Sequence, residues 1–367
     1  MLPAMWRPAL LSLLLLVGCG DTDEPTSAAV EPPDARPDDD VEEGQALYQR
    51  YCSLCHGDRA EGYAADDAPS LSSPEFLRSA SDRFLTRAIR EGRPGTAMSA
   101  WEARRGGPLD DAQIDAIVRY LRSLSDEPRV VVDGVRVEGD AARGRAVYAE
   151  YCARCHGGRG EGVDAMSLAN PAFLATASPG FLQYAVAHGR SGTRMPAFTG
   201  RLSPQQIDDV VTFVRGLGGD AGVVAVPPPP AEPPQVPPLS EMELIVNPDG
   251  PRARLTLRDE RFVPAADVNR ELARGARMII IDARATSDWL TLRIPGAIPV
   301  PYYELSAILE ELPRDGTWMI AYCGCPHAAS GRVVDALREQ GFTNTAVLDE
   351  GIHHWEQQSY PTASGLP

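Results

Sequence analysis

The chain has 367 residues, which is enough for two or three domains. Its hydrophobic fraction of 43% can fill real cores and excludes a globally disordered protein. The net charge is −16, and ten acidic residues but one arginine lie between positions 20 and 43, so much of the acidity belongs to one segment. The sequence has no basic patch of the kind that binds nucleic acid.

Residues 1–19 predict a bacterial lipoprotein signal. Arg7 supplies the positive charge, and residues 9–17 form an apolar run too short to span a bilayer. The sequence that ends at Cys19 resembles a lipobox, in which that cysteine is acylated; an ordinary cleaved signal is the alternative. Gly20 follows rather than Asp, which favours the outer over the inner membrane. Residues 20–40 then predict an acidic, disordered tether between this membrane anchor and a periplasm-facing body.

The sequence C-x-x-C-H occurs twice, at residues 52–56 and 152–156. It is the attachment signature of c-type haem, in which two thiols bond the porphyrin vinyl groups and the histidine becomes the proximal iron ligand. The expected attachment residues are Cys52, Cys55, Cys152 and Cys155, and the expected proximal ligands are His56 and His156. A zinc site is the alternative interpretation of such pairs.

A repeat surrounds both motifs. Residues 92–101 recur at 189–198, and each copy contains a methionine followed by an aromatic residue. Each repeat closes with an amphipathic helix that opens with a capping box, formed by Asp110 with Gln113 and by Ser203 with Gln206. The pattern indicates a tandem duplication of one domain.

Each repeat resembles a class I cytochrome c, over residues 41–126 and 140–218. The resemblance implies two all-α domains, two covalently bound haem c groups, and axial ligands Met98 and Met195. It also implies that the terminal helices of each domain cross at a small residue, with Gly44 against Tyr120 and Gly144 against Phe213. Ser99 departs from the proline that the family usually has after the axial methionine.

Other sixth ligands remain open. In the first repeat, water or a vacant position is the alternative to Met98, and in the second Met166 and His188 compete with Met195. Ligation by His and Met leaves no position for substrate and raises the potential, which suits electron transfer with redox partner proteins. Residues 127–139 predict a connector with a hairpin turn at Asp133 and Gly134.

Residues 219–240 predict a linker to a last domain. Residues 226–238 contain eight prolines, and polyproline II at ~3.1 Å per residue would make them a semi-rigid spacer of ~40 Å. The expectation is a separate module on a stalk, covering residues 241–367. Its first part predicts a hairpin, with strands at 243–246 and 253–257 around an Asn-Pro-Asp-Gly turn.

The remainder alternates strand and helix and therefore predicts an α/β domain. It resembles a rhodanese domain. The residues that match this family are Asp282 and Arg284 after a strand, Ile-Pro-Gly-Ala at 294–297, Cys323 after a second strand, and Gly351 before Trp355. The resemblance implies that Cys323 is a nucleophile that accepts sulfane sulfur as a persulfide.

The loop after Cys323 departs from the family. It contains Cys325 and His327 but no arginine or lysine before Arg332, which puts thiosulfate as donor in doubt. Cys325 is an alternative reactive thiol that could form a disulfide or relay sulfur, and Cu(I) could bind both cysteines with His327. His353 and His354 predict a surface turn.

Three hypotheses follow for the whole chain. It is a membrane-anchored dihaem electron carrier whose last domain performs thiol chemistry at Cys323, a sulfur-compound oxidoreductase or sulfurtransferase that couples a Cys323 persulfide to haem reduction, or an electron carrier with a silent or soft-metal-binding module.

Overall fold

The computed structural model describes residues 38–65, 67–218, 226–305, 309–324 and 327–367. The predicted signal peptide with Cys19, nearly all of the acidic tether, and Cys325 lie outside these residues. Within the described ranges, no helix is both long and apolar enough to cross a bilayer.

The described chain begins with two helical domains, called domain 1 and domain 2, that have the same order of elements. Domain 1 contains α1 (Asp38–Tyr51), α2 (Ser53–His56), α3 (Pro74–Ser79), α4 (Asp82–Glu91) and α5 (Asp111–Ser123). Domain 2 contains α6 (Ala141–Tyr151), α7 (Ala153–His156), α8 (Pro171–Thr176), α9 (Pro179–His188) and α10 (Pro204–Arg215). The prediction of two successive all-α domains is therefore confirmed.

The terminal helices of each domain cross at a glycine, as predicted. A Cβ on Gly44 would lie 2.1 Å from the Ala116 carbonyl oxygen and 2.9 Å from the Tyr120 Cβ. A Cβ on Gly144 would lie 2.0 Å from the Asp209 carbonyl oxygen and 2.9 Å from the Phe213 Cβ. Real Cβ atoms do not approach other atoms this closely. The helices α1 and α5 can therefore pack at this distance only because Gly44 has no side chain, and Gly144 has the same effect on α6 and α10.

Both predicted capping boxes form at the start of the closing helices. Asp110 accepts from the Gln113 backbone N–H at 2.9 Å, and Ser203 accepts from that of Gln206 at 3.2 Å. In each, the glutamine side chain accepts the backbone N–H of the cap residue in return. The start of the helix that carries the apolar face is thus fixed by local hydrogen bonds.

Domains 1 and 2 meet through four phenylalanines that pack with approximate two-fold symmetry. The ring centroids of Phe84 and Phe181 are 4.8 Å apart, and Phe76 and Phe173 each stack edge-on beside this pair. Glu75 adds polar contacts across the interface, because the backbone N–H of Ser191 donates to it at 2.8 Å and the Ser191 hydroxyl at 2.5 Å.

The connector has the predicted turn but no paired strands. Gly134 has φ +88°, and the Val135 N–H donates to the Val132 carbonyl at 3.3 Å. The flanking residues instead lie on the two domains: Val130 donates its N–H to the Arg78 carbonyl, and Val132 is buried. The hairpin prediction was wrong because these valines gain more by packing on helices than on each other.

The last domain, called the α/β domain, has a five-stranded parallel sheet in the order β1-β5-β4-β2-β3. The strands are β1 (Phe262–Val263), β2 (Met278–Asp282), β3 (Ile298–Pro299), β4 (Trp318–Tyr322) and β5 (Thr345–Leu348). The helices are α11 (Ala265–Ala273), α12 (Thr286–Thr291), α13 (Ala328–Glu339) and α14 (Gly351–Gln357). All five residues of β2 are buried, as a strand between two helical layers requires.

The predicted hairpin before this sheet does not form. Its turn is present, with the Gly250 N–H donating to the Asn247 carbonyl at 2.9 Å. The first arm pairs elsewhere, because Val246 bridges Met278, and Arg252, directly before the predicted second arm, bridges Arg277. The start of β2 offers unpaired backbone groups, and the two arms satisfy those groups instead of each other.

The α/β domain is not held apart on a stalk; that prediction was wrong. It packs directly on domain 1, where Ser287 donates to the Ala100 carbonyl and Tyr302 donates to the Tyr51 carbonyl, each at 2.6 Å. The proline-rich segment lies along domain 1, and Arg105 donates to the Pro227 carbonyl at 2.7 Å. An extended polyproline conformation sets local stiffness but not direction, so the segment follows the surface that binds it.

The glycine crossing generates a stability prediction. Gly144→Ala should push α6 away from α10 and lower the free energy of unfolding by roughly 1–3 kcal/mol, the usual cost of overpacking. Gly216→Ala is the matched control, because a Cβ there meets nothing within 4 Å and the backbone is already helical, with φ −81°. Urea unfolding of the full chain, followed by circular dichroism, compares the three; equal midpoints would contradict a steric role for the glycine.

Glu75 generates a pH prediction. Burial alone would raise its pKa, but the hydrogen bonds from Ser191 prevail and lower it from 4.5 to about 2. Its ionised form therefore stabilises the interface above pH 4.5, and this contribution is lost as the pH falls towards about 2. The difference in melting temperature between the parent and Glu75→Gln should be constant near neutral pH and shrink across that window. A difference that persists unchanged at pH 2 would count against the assignment.

Candidate functional sites

The two C-x-x-C-H motifs form short helices with equivalent histidine geometry. The Nδ1 atom of His56 lies 2.9 Å from the Pro69 carbonyl oxygen, and that of His156 lies 2.9 Å from the Met166 carbonyl oxygen. A carbonyl can only accept, so Nδ1 carries the proton in both rings. Nε2 is left with its lone pair, which is the arrangement a metal-ligating histidine requires.

The charge state of both rings agrees with this role. Burial lowers the pKa of His56 and of His156, and the hydrogen bond to a carbonyl opposes that shift only in part. Both imidazoles are therefore neutral at pH 7, and neutral imidazole is the form that binds iron.

The attachment cysteines are partly buried beside these histidines. Burial, with a smaller effect from the second cysteine of each motif, raises the pKa of Cys52 to about 12 and that of Cys152 to about 11. The backbone N–H of His56 and that of His156 each donate to the backbone carbonyl of the first cysteine in their motif, at 3.0 Å. One helical turn thus places both thiols and the imidazole on one side of each domain.

A tyrosine and a glycine fix the exit from each motif. The Tyr48 hydroxyl donates to the Gly57 carbonyl at 2.7 Å, and the Tyr148 hydroxyl donates to the Gly157 carbonyl at 2.8 Å. Gly57 has φ +82°, in the region that favours glycine. The turn directs the following loop back so that it can supply the carbonyl partner of His56.

The two predicted methionine ligands lie on loops of equal geometry. The Arg93 N–H donates to the Met98 carbonyl at 2.8 Å, and the Arg190 N–H donates to the Met195 carbonyl at 3.0 Å. Inside each loop a threonine hydroxyl accepts the methionine N–H, at 3.2 Å for Thr96 and 3.1 Å for Thr193. These bonds hold the methionine at a defined position in each domain.

The competing ligands in domain 2 have other contacts. Met166 gives its backbone carbonyl to the His156 ring. His188 is exposed at the end of α9, where its ring lies 4.2 Å from that of Tyr184. Across the described residues, no group of three or more His, Cys, Asp and Glu side chains is arranged to hold a metal ion.

The chain segments present in each domain fit a covalently attached haem. In each domain the histidine Nε2 has no hydrogen-bond partner among the described residues, two cysteines lie in the same short segment, and a methionine lies on a separate loop. When bound, haem supplies an iron that accepts or gives one electron.

In the α/β domain, Cys323 follows β4 and is 1% exposed. Its Sγ lies 3.3 Å from the Ser330 hydroxyl, in the first turn of α13. The partial positive charge of a helix N-terminus favours a thiolate at this position.

Asp282, Arg284 and Tyr322, at the ends of β2 and β4, are hydrogen-bonded to one another. Arg284 donates from Nε and Nη2 to the Asp282 carboxylate at 2.9 and 2.6 Å, and the Tyr322 hydroxyl donates to the same group at 2.8 Å. Arg293 donates to the Gly365 carbonyl at 2.6 Å and stacks on Trp289, so it is a structural residue of this corner. His327 Nε2 lies 3.0 Å from the Asp349 carboxylate, which gives that nitrogen a partner other than Cys323.

His353 was placed by the sequence prediction in a surface turn, and this was wrong. It lies in α14, and its Nε2 is shielded from solvent and has no hydrogen-bond partner within the part of the chain that the structure describes. That atom is 3.4 Å from the position of a Cβ on Gly324. The residue therefore faces the loop that follows Cys323. Its position two residues before Trp355, a residue of the rhodanese resemblance, was a signal in the sequence.

The Cys323 loop and the Met98 loop are in contact. A Cβ on Gly324 would lie 3.4 Å from the Ala97 Cα. The Ser99 hydroxyl donates to Asp288 of α12 at 2.6 Å. Burial raises the pKa of Asp288, although Arg284 and the Ser99 hydroxyl partly oppose this. Ser99, which replaces the usual proline, thus ties the methionine loop to the α/β domain.

An aromatic cluster extends the same contact to the haem-attachment motif. The ring of Tyr303 lies 4.9 Å from that of Tyr51 and 5.8 Å from that of Trp101. Next to it, α13 lies against α2, the helix that contains Cys55 and His56. The α/β domain therefore covers both the attachment motif and the methionine loop of domain 1.

The profile of the family described as cytochrome c oxidase, cbb3-type, subunit III matches residues 39–121 and 139–214, and that of the rhodanese-like domain matches residues 265–358. The chain is 33% identical over 184 residues to the cbb3-type cytochrome c oxidase subunit FixP of a Bradyrhizobium species, covering 48% of this chain and 60% of that protein. It is 30% identical over 194 residues to the subunit CcoP of an Azospirillum species, covering 48% and 62%. A solved rhodanese-related protein of Thermoplasma volcanium is 25% identical, covering 28% of this chain and 97% of that chain, with a TM-score of 0.25.

The chain thus spans about 60% of the length of the curated relatives that it matches. The helical repeats, the parallel sheet and the two family profiles agree on the same division of the molecule. The chain consists of two cytochrome c domains, of the kind that carries covalently bound haem c, followed by a rhodanese-like domain.

Proposed function

We propose that the chain is a dihaem electron-transfer protein with two His/Met-ligated haems. Cys52 and Cys55 would attach haem 1, and His56 and Met98 would bind its iron. The corresponding residues for haem 2 are Cys152 and Cys155, with His156 and Met195. The observation that supports this most directly is the duplicated histidine geometry, in which both Nδ1 atoms donate to a carbonyl and both Nε2 atoms remain available.

Met98 and Met195 are proposed over their rivals because their loops are hydrogen-bonded in the same way. Two strong axial ligands leave no position for substrate, and the soft thioether favours the ferrous state. The chemistry of such a centre is outer-sphere electron transfer.

Location and partners complete the proposal. Export and acylation at Cys19 would hold the protein at a membrane, facing the periplasm, with the outer membrane favoured by Gly20. The relatives are named as subunits of cbb3-type oxidases, and this chain shares their pair of cytochrome domains. We therefore propose redox proteins as its electron donors and acceptors.

Ligand substitutions test this proposal. Met98→Ala and Met195→Ala should each remove the sulfur-to-iron charge-transfer absorption of one oxidised haem. Each should lower one midpoint potential by on the order of 0.1 V, within the roughly 0.8 V range that axial ligands control. Met166→Leu is the control, because Met166 contacts the His156 ring through its backbone only. Potentiometric titration with visible spectroscopy measures all three, and a spectral change in the control alone would refute Met195.

A second function is favoured by the contact between the Cys323 and Met98 loops. In this proposal Cys323 is a sulfur-accepting nucleophile that delivers electrons to haem 1. The Cys323 thiol would react with hydrosulfide: a sulfur–sulfur bond would form, one proton would leave to solvent, and two electrons would be released. Two ferric haems, held by the two C-x-x-C-H motifs, would supply the oxidant by accepting one electron each. The product is a Cys323 persulfide, which a nucleophilic acceptor can then remove. The hydrogen bond from the Ser99 hydroxyl to Asp288 of α12 would hold the Met98 loop against the α/β domain during the step.

A visible spectrum of the oxidised holoprotein, before and after anaerobic addition of hydrosulfide or polysulfide, tests this second function. Cys323→Ser should slow the haem reduction by about 10²-fold or more, as loss of a nucleophile does. Reduction by ascorbate, which acts on the haems directly, should be unchanged in the variant. Equal rates of sulfur-dependent haem reduction in parent and variant would contradict the sulfur chemistry at Cys323. They would leave the proposal of an electron carrier unaffected.

A further inference from the structure

One histidine of the α/β domain has a ring nitrogen that the contacts described so far do not use. His353 lies in α14, and its Nε2 atom is shielded from solvent. Within the described part of the chain, that atom forms no hydrogen bond. A polar atom that loses water without gaining a hydrogen bond costs free energy, and such atoms are rare in folded proteins. The nitrogen therefore calls for a partner that enters the site.

The helix that contains His353 is joined directly to Cys323. The backbone N–H of Ile352, the preceding residue, donates to the Cys323 carbonyl at 3.0 Å. A Cβ on Gly324, the residue after Cys323, would lie 3.4 Å from the Nε2 atom of His353. The unpartnered nitrogen thus faces the residue that directly follows the proposed nucleophile.

The position of this absent Cβ is a space for one heavy atom. Three groups surround it: Nε2 of His353 at 3.4 Å, the Cα atom of Ala97 at 3.4 Å, and the Cδ atom of Arg284 at 3.7 Å. These are ordinary van der Waals distances, so an atom at this position would touch all three groups without a clash. Because residue 324 is a glycine, its own side chain does not fill the space.

The histidine nitrogen is the polar atom among these three neighbours. Ala97 and Arg284 each present a carbon atom, and the guanidinium of Arg284 is bound to the Asp282 carboxylate at 2.9 and 2.6 Å. An atom in the space would therefore form its hydrogen bond with His353.

The size and polarity of this space fit a single sulfur atom. Hydrosulfide has one heavy atom, with lone pairs and one hydrogen. It can accept a hydrogen bond when Nε2 carries the ring proton and donate one when Nε2 has its lone pair. Sulfur is larger than oxygen and forms longer hydrogen bonds, so a nitrogen at 3.4 Å is within reach of it.

We propose that the space beside Gly324 is the binding position for hydrosulfide next to Cys323, and that His353 Nε2 is its hydrogen-bond partner. This inference rests on the proposed sulfur chemistry at Cys323 and adds the place where the sulfur donor binds. Ala97 belongs to the methionine loop of domain 1 and forms one wall of the space. The sulfur donor would therefore bind where the α/β domain meets the first cytochrome domain.

The experiment uses the full-length holoprotein and changes the space from two sides. Gly324→Ala adds the one atom that fills it, and the backbone of Gly324 is not left-handed, so the fold should be kept. His353→Leu removes the nitrogen, whereas His353→Gln places an amide N–H near the position of Nε2. His354→Leu is the matched control, because His354 also lies in α14 but about 100° further round the helix.

The rate of haem reduction is measured against hydrosulfide concentration without oxygen, on samples of equal haem content. Gly324→Ala and His353→Leu should raise the half-saturating concentration by about tenfold or more, the effect of losing one hydrogen bond to a charged group. The limiting rate, and reduction by ascorbate, should stay at the parent values. His353→Gln should recover part of the loss, and His354→Leu should behave like the parent. If the rate rises linearly with concentration, its slope is compared instead.

A second measurement separates this inference from the function on which it rests. Mass spectrometry shows whether Cys323 of the parent gains one sulfur atom after the reaction with hydrosulfide. A parent that gains no sulfur and reduces no haem would overturn the sulfur chemistry together with the binding position. A parent that reacts, with the same concentration dependence in Gly324→Ala and His353→Leu, would overturn the binding position alone. If His353→Leu fails to accumulate, Gly324→Ala decides, because it retains the imidazole.

Discussion

The close crossing of two helices at a glycine is the constraint on which each cytochrome domain depends. In domain 1, α1 leads directly into the C-x-x-C-H turn, and α5 follows the methionine loop. With no side chain at Gly44, these helices meet at backbone distance, and the two halves of the haem site are held in a fixed relation. Gly144 does the same in domain 2. The duplicated hydrogen bonds of the histidines and methionines follow from this shared frame.

Much of this frame could be predicted because its signals are local. Each C-x-x-C-H motif spans five consecutive residues, each capping box spans four, and the glycine crossing follows from the resemblance to one family. The order of strands and helices in the last domain was likewise expected from alternating apolar runs. These features depend on short stretches of chain whose physical preferences agree with the fold.

What could not be predicted depends on contacts between distant segments. The path of the proline-rich linker, the pairing of Val246 and Arg252 with the start of β2, and the position of His353 against the loop after Cys323 are all decided by surfaces far apart in sequence. Ser99 did carry a signal, as a departure from the usual proline, and its hydroxyl proves to hold Asp288. A residue that departs from the family pattern indicates a changed contact, but only the folded structure shows which residue it contacts.

The two cytochrome domains differ in what surrounds the methionine loop. In domain 1 the loop is tied to the α/β domain, whereas Pro196 and Ala197 at the corresponding place in domain 2 are exposed. Two domains of one chain need no diffusional encounter to come into contact. The effective concentration of one domain near the other is set by the linker and does not fall when the protein is diluted. A separate protein in solution must reach its binding surface by diffusion and collision. Of the two methionine loops, the one in domain 2 is exposed. The contact at the first methionine loop is therefore independent of protein concentration, whereas any contact that another protein made at the second loop would depend on both concentration and ionic strength.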